Sequence, residues 1–208
     1  MGSTRKPGRR LLPLRRPRLG IALALFAESV SPGEAAPFAY VSSSGDNSVS
    51  VIDTATAKRV ATIPMGVFPA DKLPLTPFGL AVAPDGKHVY VTANTAALDT
   101  TIEVIETAGN RVAHTIPAGG DFAGGIGVAP DGKQAYAAIS GPASLVRVID
   151  TVWNQVAGAV PLPADATPGA IAVSPDGKQL YVTNESPGGV LVIDTAAGSV
   201  VATIPVGG

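Results

Sequence analysis

The stretch whose reading decides the fold runs from Ala170 to Gly207, AIAVSPDGKQLYVTNESPGGVLVIDTAAGSVVATIPVG. It reads as four short β patterns, each closed by turn residues. Ala170, Ala172 and Ser174 are small and alternate with Ile171 and Val173, the period of two that belongs to a strand. Pro175-Asp176-Gly177-Lys178 follows. Its Asp can bond the backbone ahead and its Gly accepts positive φ, so the chain reverses into a hairpin. Leu180–Asn184 is the second strand, Val190–Thr195 the third and Val200–Ile204 the fourth. Pro205 stops the last one, and a proline that removes a ladder donor suits an outer edge.

Working outward, the chain back to Phe38 consists of earlier copies of this unit. Pro-Asp-Gly-Lys recurs at Pro84, Pro130 and Pro175, spaced 46 and 45 residues apart. All four tyrosines, Tyr40, Tyr90, Tyr136 and Tyr181, hold one repeat position, and Val-Ile-Asp/Glu-Thr ends at Thr54, Thr107, Thr151 and Thr195. Asp53, Asp150 and Asp194 suit an Asx-type turn after the third strand, whereas Glu106 is one methylene longer and suits it less well. The first strand of each unit, Gly79–Ala83, Gly125–Ala129 and Ala170–Ser174, has one small and one large face, both uncharged. Such a strand fits a sheet covered on both sides, as the innermost strand of a blade is. A period of 40 to 50 residues with four β patterns inside it predicts propeller blades.

The expected fold is therefore all-β: a β-propeller of four-stranded antiparallel blades, partial, with about three full blades and a three-stranded first blade. The blades are read at 38–66, 77–119, 124–163 and 169–208. The first is expected to lack its inner strand, because Glu28–Pro37 has neither the alternation nor the Pro-Asp-Gly-Lys turn. An open arc leaves apolar blade faces at both ends and predicts self-association through them. Glu103 and Arg147, at one position of the third strand, are expected to point outward.

Leu180-Tyr181-Val182-Thr183-Asn184 carries a literal YVTN signature. Val89-Tyr90-Val91-Thr92 followed by Asn94 is a near copy, and Tyr40-Val41-Ser42 and Tyr136-Ala137-Ala138 are degraded ones. With Pro-Asp-Gly-Lys before and Val-Ile-Asp-Thr after, residues 38–208 resemble the YVTN-type β-propeller repeat family. The resemblance implies the fold and no single activity, because propellers host binding proteins and many enzymes. Lactonase-like propellers and the propeller subunits of amine dehydrogenases are similar in repeat architecture. An enzyme of that kind needs an acidic or metal-bearing axial site, or a catalytic partner subunit. Asp71, Asp121 and Asn184 are the residues that would matter there.

Residues 1–36 have another character. Seven of the fifteen basic residues lie before residue 19 and are followed by the uncharged apolar run Leu19–Ala27. A basic start and a short apolar core read as a secretory leader and place the protein in the periplasm or outside the cell. The run is shorter than the roughly 20 apolar residues of a membrane span. From Glu28 onward, eight basic residues face sixteen acidic ones, a formal charge of −8. An acidic body repels phosphate backbones and argues against nucleic-acid binding. With no cysteine in the chain, disulfides and thiolate metal sites are excluded.

In a propeller the loops before the first strand and between the second and third strands ring one end of the axis. On those loops lie Asp71, Lys72, Asn94, Asp99, Asp121, Asn184 and Glu185, the candidate contacts for a protein or small ligand. Their oxygens could also hold a hard cation such as Ca²⁺, although Asp and Asn are equally ordinary in turns. His88 and His114 are expected on different blades and strands, which argues against a shared metal site, and read as surface residues. Trp153 lies in a turn, where it could mark a contact surface. No nucleophile–base pair, zinc-binding His motif or phosphate-cradling glycine loop is present. The reading is an exported, non-catalytic binding module without an assigned cofactor. The rivals are an enzyme or enzyme-associated propeller, and a remnant of a longer propeller.

Overall fold

The computed structural model describes residues 21–24, 38–70, 72–186 and 188–206, with the backbone alone at 21–24. Among the described residues sixteen strands form four four-stranded antiparallel sheets, each in sequence order. Blade 1 comprises β1 (Ile21–Ala24), β2 (Phe38–Ser43), β3 (Ser48–Asp53) and β4 (Lys58–Pro64). Blade 2 comprises β5 (Thr76–Val82), β6 (His88–Asn94), β7 (Thr100–Glu106) and β8 (Arg111–Pro117). Blade 3 comprises β9 (Phe122–Val128), β10 (Gln134–Ser140), β11 (Leu145–Asp150) and β12 (Gln155–Pro161). Blade 4 comprises β13 (Pro168–Val173), β14 (Gln179–Asn184), β15 (Gly189–Asp194) and β16 (Ser199–Ile204). Among the described residues there is no helix, hence none long and apolar enough to cross a membrane.

Blade 1 corrects the expectation of a three-stranded first sheet. Its inner strand is β1, drawn from the run Leu19–Ala27 that reads as the core of a leader. Ala24 pairs with Tyr40, Leu23 with Val41 and Ala22 with Ser42. In blade 2, Ala81 pairs with Tyr90 and Leu80 with Val91. The register of β1 against β2 is thus that of β5 against β6.

The repeat motifs hold each blade together locally. In Pro-Asp-Gly-Lys, Asp85, Asp131 and Asp176 accept the N–H of the lysine two residues on, at 2.9, 3.0 and 3.1 Å. Gly86, Gly132 and Gly177 have φ near +70°, the left-handed conformation that glycine adopts without strain. The Thr of Val-Ile-Asp-Thr then ties the outer turn to this hairpin. Thr107, Thr151 and Thr195 donate their hydroxyls to the Gly86, Gly132 and Gly177 carbonyls. Asp53, Asp150 and Asp194 each accept two backbone N–H groups of the following turn. Glu106 reaches across to Arg111 instead.

The core lies between blades. Three apolar clusters fill the blade 1–2, 2–3 and 3–4 interfaces, and the inner strands β1, β5, β9 and β13 pack side by side in that order. Glycine is needed where β5 meets β9 and where β9 meets β13. A Cβ on Gly79 would lie 2.5 Å from the Gly124 carbonyl oxygen, and one on Gly125 would lie 2.7 Å from the Ala170 Cα. The long segment after β4 covers the blade 1–2 core with buried Met65 and Leu75 and with Phe68. It is closed by a bridge from Val67 to Pro74.

Glu103 and Arg147 do not point outward. Both lie on the side of the blade that faces its predecessor. Glu103 is fully buried; its carboxylate accepts hydrogen bonds from Thr101 at 2.7 Å and Thr115 at 2.6 Å. Arg147 is half-buried, with its Nε buried and unpaired and its terminal nitrogen tucked against Gly119. The twist and stacking of blades cover a strand position that the sequence pattern alone assigns to solvent.

Candidate functional site

Two ends of the blade array offer candidate surfaces. At the first, the loops that lead into the inner strands meet those between second and third strands. Three of the residues expected to contact a ligand there, Lys72, Asn94 and Asn184, use their side chains to hold loops. Asn94 is buried and bridges to blade 3: its amide donates to the Ala123 carbonyl at 3.0 Å, and its oxygen accepts the Ala123 N–H at 2.8 Å. Asn184 is buried and accepts the Thr167 N–H at 2.8 Å. Lys72 is exposed, in the left-handed region at φ 62°, and donates to the Pro69 carbonyl. The Asp99 N–H and carbonyl close a small loop on Thr95. Asp121 is half-buried, its N–H on the Ser140 carbonyl, and Glu185 is exposed near Gly169. Asp71 lies outside the described residues.

Among the described residues no three His, Asp or Glu side chains converge where one metal ion could be held. His88 sits at 3.8 Å from Asp85, and His114 is exposed on β8; both belong to blade 2 rather than to different blades, because β6 and β8 lie in one sheet. The same end carries an aromatic contact: Phe78 and Phe122, on neighbouring inner strands, meet edge to face at 4.7 Å.

Two equivalent grooves lie at the other end, under the Pro-Asp-Gly-Lys hairpins. Between blades 2 and 3 a groove of ≈ 430 Å³ is lined by Asp85, His88, Tyr90, Asp131 and Thr151. One blade further, a groove of ≈ 390 Å³ is lined by Asp131, Gln134, Tyr136, Asp176 and Thr195. The two are built from equivalent positions, and Asp131 is shared. Each has a carboxylate from two successive hairpins on its rim and a tyrosine in its wall.

The phenols stay protonated at neutral pH. Burial, with Asp85 and Asp150 nearby, pushes Tyr90 up to about 12 against the opposing hydrogen bond with Thr151. Burial and Asp131 raise Tyr136 as well, whose hydroxyl donates to Gln134 Oε1 at 2.6 Å. Asp176 is held below the usual carboxylate range by the Ser174 hydroxyl and the Lys178 N–H. A protonated phenol beside carboxylates offers hydrogen-bond acceptors, a combination suited to ammonium or guanidinium groups.

Besides Trp153, the sequence points to the loop end, because oxygen-bearing residues in non-repeating loops look like contacts. The hairpin aspartates read as turn formers, which they are. Their second role follows from the stacking of one blade's hairpin beside the next.

Trp153, in the turn after β11, is 74 % exposed and adjoins Val152 of the first groove.

No protein-family model matches the chain, and no curated protein does. Among solved structures the chain is similar to hydrazine synthase of Kuenenia stuttgartiensis, a propeller-containing protein. The TM-score is 0.70 and the identity 28 %, over 81 % of this chain and 46 % of that one. The chain thus spans about half the length of that neighbour, and the two share the β-propeller fold.

Proposed function

We propose that this chain is a non-catalytic β-propeller interaction module of the YVTN repeat type. Its partner carries spaced basic groups, as an extended lysine- or arginine-containing peptide does. The observation that carries this reading is the pair of equivalent acidic grooves one blade apart, joined through Asp131. The charge of −8 from residue 28 onward adds a long-range attraction for such a partner. Titration with an oligolysine peptide, read by the fluorescence of Trp153, tests it. Binding should weaken with added salt and in Asp131→Asn, which keeps the oxygen that accepts the Lys133 N–H. Absence of binding, or an unaffected variant, refutes the reading.

The second reading is a propeller belonging to an enzyme, and the 28 % identity to hydrazine synthase favours it. A lactonase-like activity would draw on the loop end, with Asp121 as the residue to test. Turnover of lactones with added Ca²⁺, abolished by Asp121→Ala, would replace the binding reading.

Export to the periplasm or beyond is part of the proposal, supported by the basic start and apolar run of residues 5–27. Cleavage after Ala27 would remove β1 and leave blade 1 with three strands. N-terminal sequencing of the exported product tests this directly.

A further inference from the structure

The two hairpin grooves start from equivalent residues but do not end alike. Between blades 3 and 4 the groove adjoins a recess of ≈ 240 Å³ and shares Gln134, Tyr136 and Thr195 with it. Val148 and Val160 of blade 3 and Leu180 and Ile193 of blade 4 wall this recess. Its outer side is the backbone of β12 at Ala157, Gly158 and Ala159.

Strand pairing explains why the space is there. Cross-strand partners point to the same side of a sheet. In blade 1 one such row is Tyr40, Val51 and Ala61, and in blade 2 it is Tyr90, Val104 and His114. In blade 3 the row is Tyr136, Val148 and Gly158. The row therefore ends on a side chain in blades 1 and 2 and on bare backbone in blade 3. The central valine records the difference. Val51 and Val104 are 1 and 0 % exposed, whereas Val148 is half-buried. A Cβ on Gly158 would meet nothing within 4 Å, so the direction a side chain would take is open.

The groove and its recess differ in chemistry. The groove offers the carboxylates of Asp131 and Asp176 and the phenol oxygen of Tyr136, acceptors for a cation's N–H groups. The recess offers apolar walls, and an apolar group that enters it releases the water those walls would otherwise order. Tyr136 belongs to both, so one ligand can reach from one to the other.

We propose that the blade 3–4 groove binds a basic group joined to an apolar one, with the cation between Asp131 and Asp176 and the apolar part over Gly158. This deepens the acidic-groove reading above and rests on it. In the peptide partner, the lysine or arginine at this groove has a large aliphatic or aromatic side chain beside it. The blade 2–3 groove, where His114 completes the row, takes a basic group alone.

Propylammonium and phenylpropylammonium are the probes, because they share the cation and differ by the ring. Each is titrated into the full chain and followed by the NMR shifts of the backbone amides. Phenylpropylammonium should bind about tenfold more tightly, the gain expected from burying most of one ring. It should move the amides of Gly158 and Gly198, which line the recess. Gly158→His, which copies the blade 2 row, should abolish the difference between the two amines. Equal binding of the two amines to the wild type overturns this inference and leaves the acidic-groove reading standing. Failure of both to bind overturns both. A preference for the ring that survives Gly158→His places the ring elsewhere and overturns the inference.

Discussion

The Thr92 hydroxyl donates to the Gly124 carbonyl at 2.6 Å while accepting the Gly79 N–H at 2.8 Å, and so ties its own strand β6 to the two inner strands β5 and β9. Thr92 is fully buried, so neither backbone partner has water as a substitute. Thr92→Val keeps the shape and removes the bonds. Leaving buried polar groups unpaired costs about 1–3 kcal/mol, and urea unfolding should show a loss of that size.

Gly79 and Gly158 should respond in opposite senses to alanine. A Cβ at Gly79 meets the Gly124 oxygen at 2.5 Å and the Gly125 Cα at 2.9 Å, both backbone atoms that cannot turn aside. Gly79→Ala therefore has to push blade 3 away from blade 2, and overpacking of this kind costs about 1–3 kcal/mol. A Cβ at Gly158 meets nothing within 4 Å. Gly158→Ala should be neutral or stabilise by up to about 1 kcal/mol, because alanine restricts the unfolded chain. Paired urea curves check both.

Glu103 predicts a pH dependence. Burial raises its pKa above the usual carboxylate value of 4.5, only partly offset by the Thr115 and Thr101 hydroxyls. The folded chain then holds this proton more tightly than the unfolded chain, so stability falls as pH rises from about 4.5 through the folded value. Glu103→Gln carries no charge to bury, and its amide can both accept from one threonine and donate to the other. The stability difference between variant and wild type should be small at pH 4 and grow in favour of Gln toward pH 8, as measured by thermal unfolding. A difference that is flat with pH would show that Glu103 does not titrate in that window.

Removal of residues 1–27 tests β1. If β1 completes blade 1, the truncated chain exposes the rear of β5 and the inner edge of β2. It should bind a hydrophobic dye and lose thermal stability relative to the full chain. Equal stability of the two would assign residues 21–24 no part in the fold.

Much of the architecture was legible because the information is local. Hairpins follow from Asp and Gly at fixed places, outer edges from prolines, and blade count from the 45–46 residue period. The inner strand of blade 1 had a signal too. Small Ala22 and Ala24 alternate with Ile21 and Leu23 as Gly79 and Ala81 alternate with Leu80 and Val82. It reads as a leader because it follows a basic stretch and has no adjoining Pro-Asp-Gly-Lys. The candidate site was less legible. Asn94 and Asn184 looked like ligand contacts, yet they hold loops, and the grooves arise from hairpins whose aspartates already had a structural explanation.

The sequence by itself determined that strands of this length alternate, reverse at these turns and recur four times, since hydrophobic period and turn chemistry act between near neighbours. Tertiary structure decided which faces are covered. Tyr90 and Tyr181 stand in nearly identical sequence, yet one is buried and the other 37 % exposed. Glu103 is sealed at a position that a strand pattern marks as outward. Burial is a property of what packs against a surface, and the packing partner of each blade lies some 45 residues away along the chain.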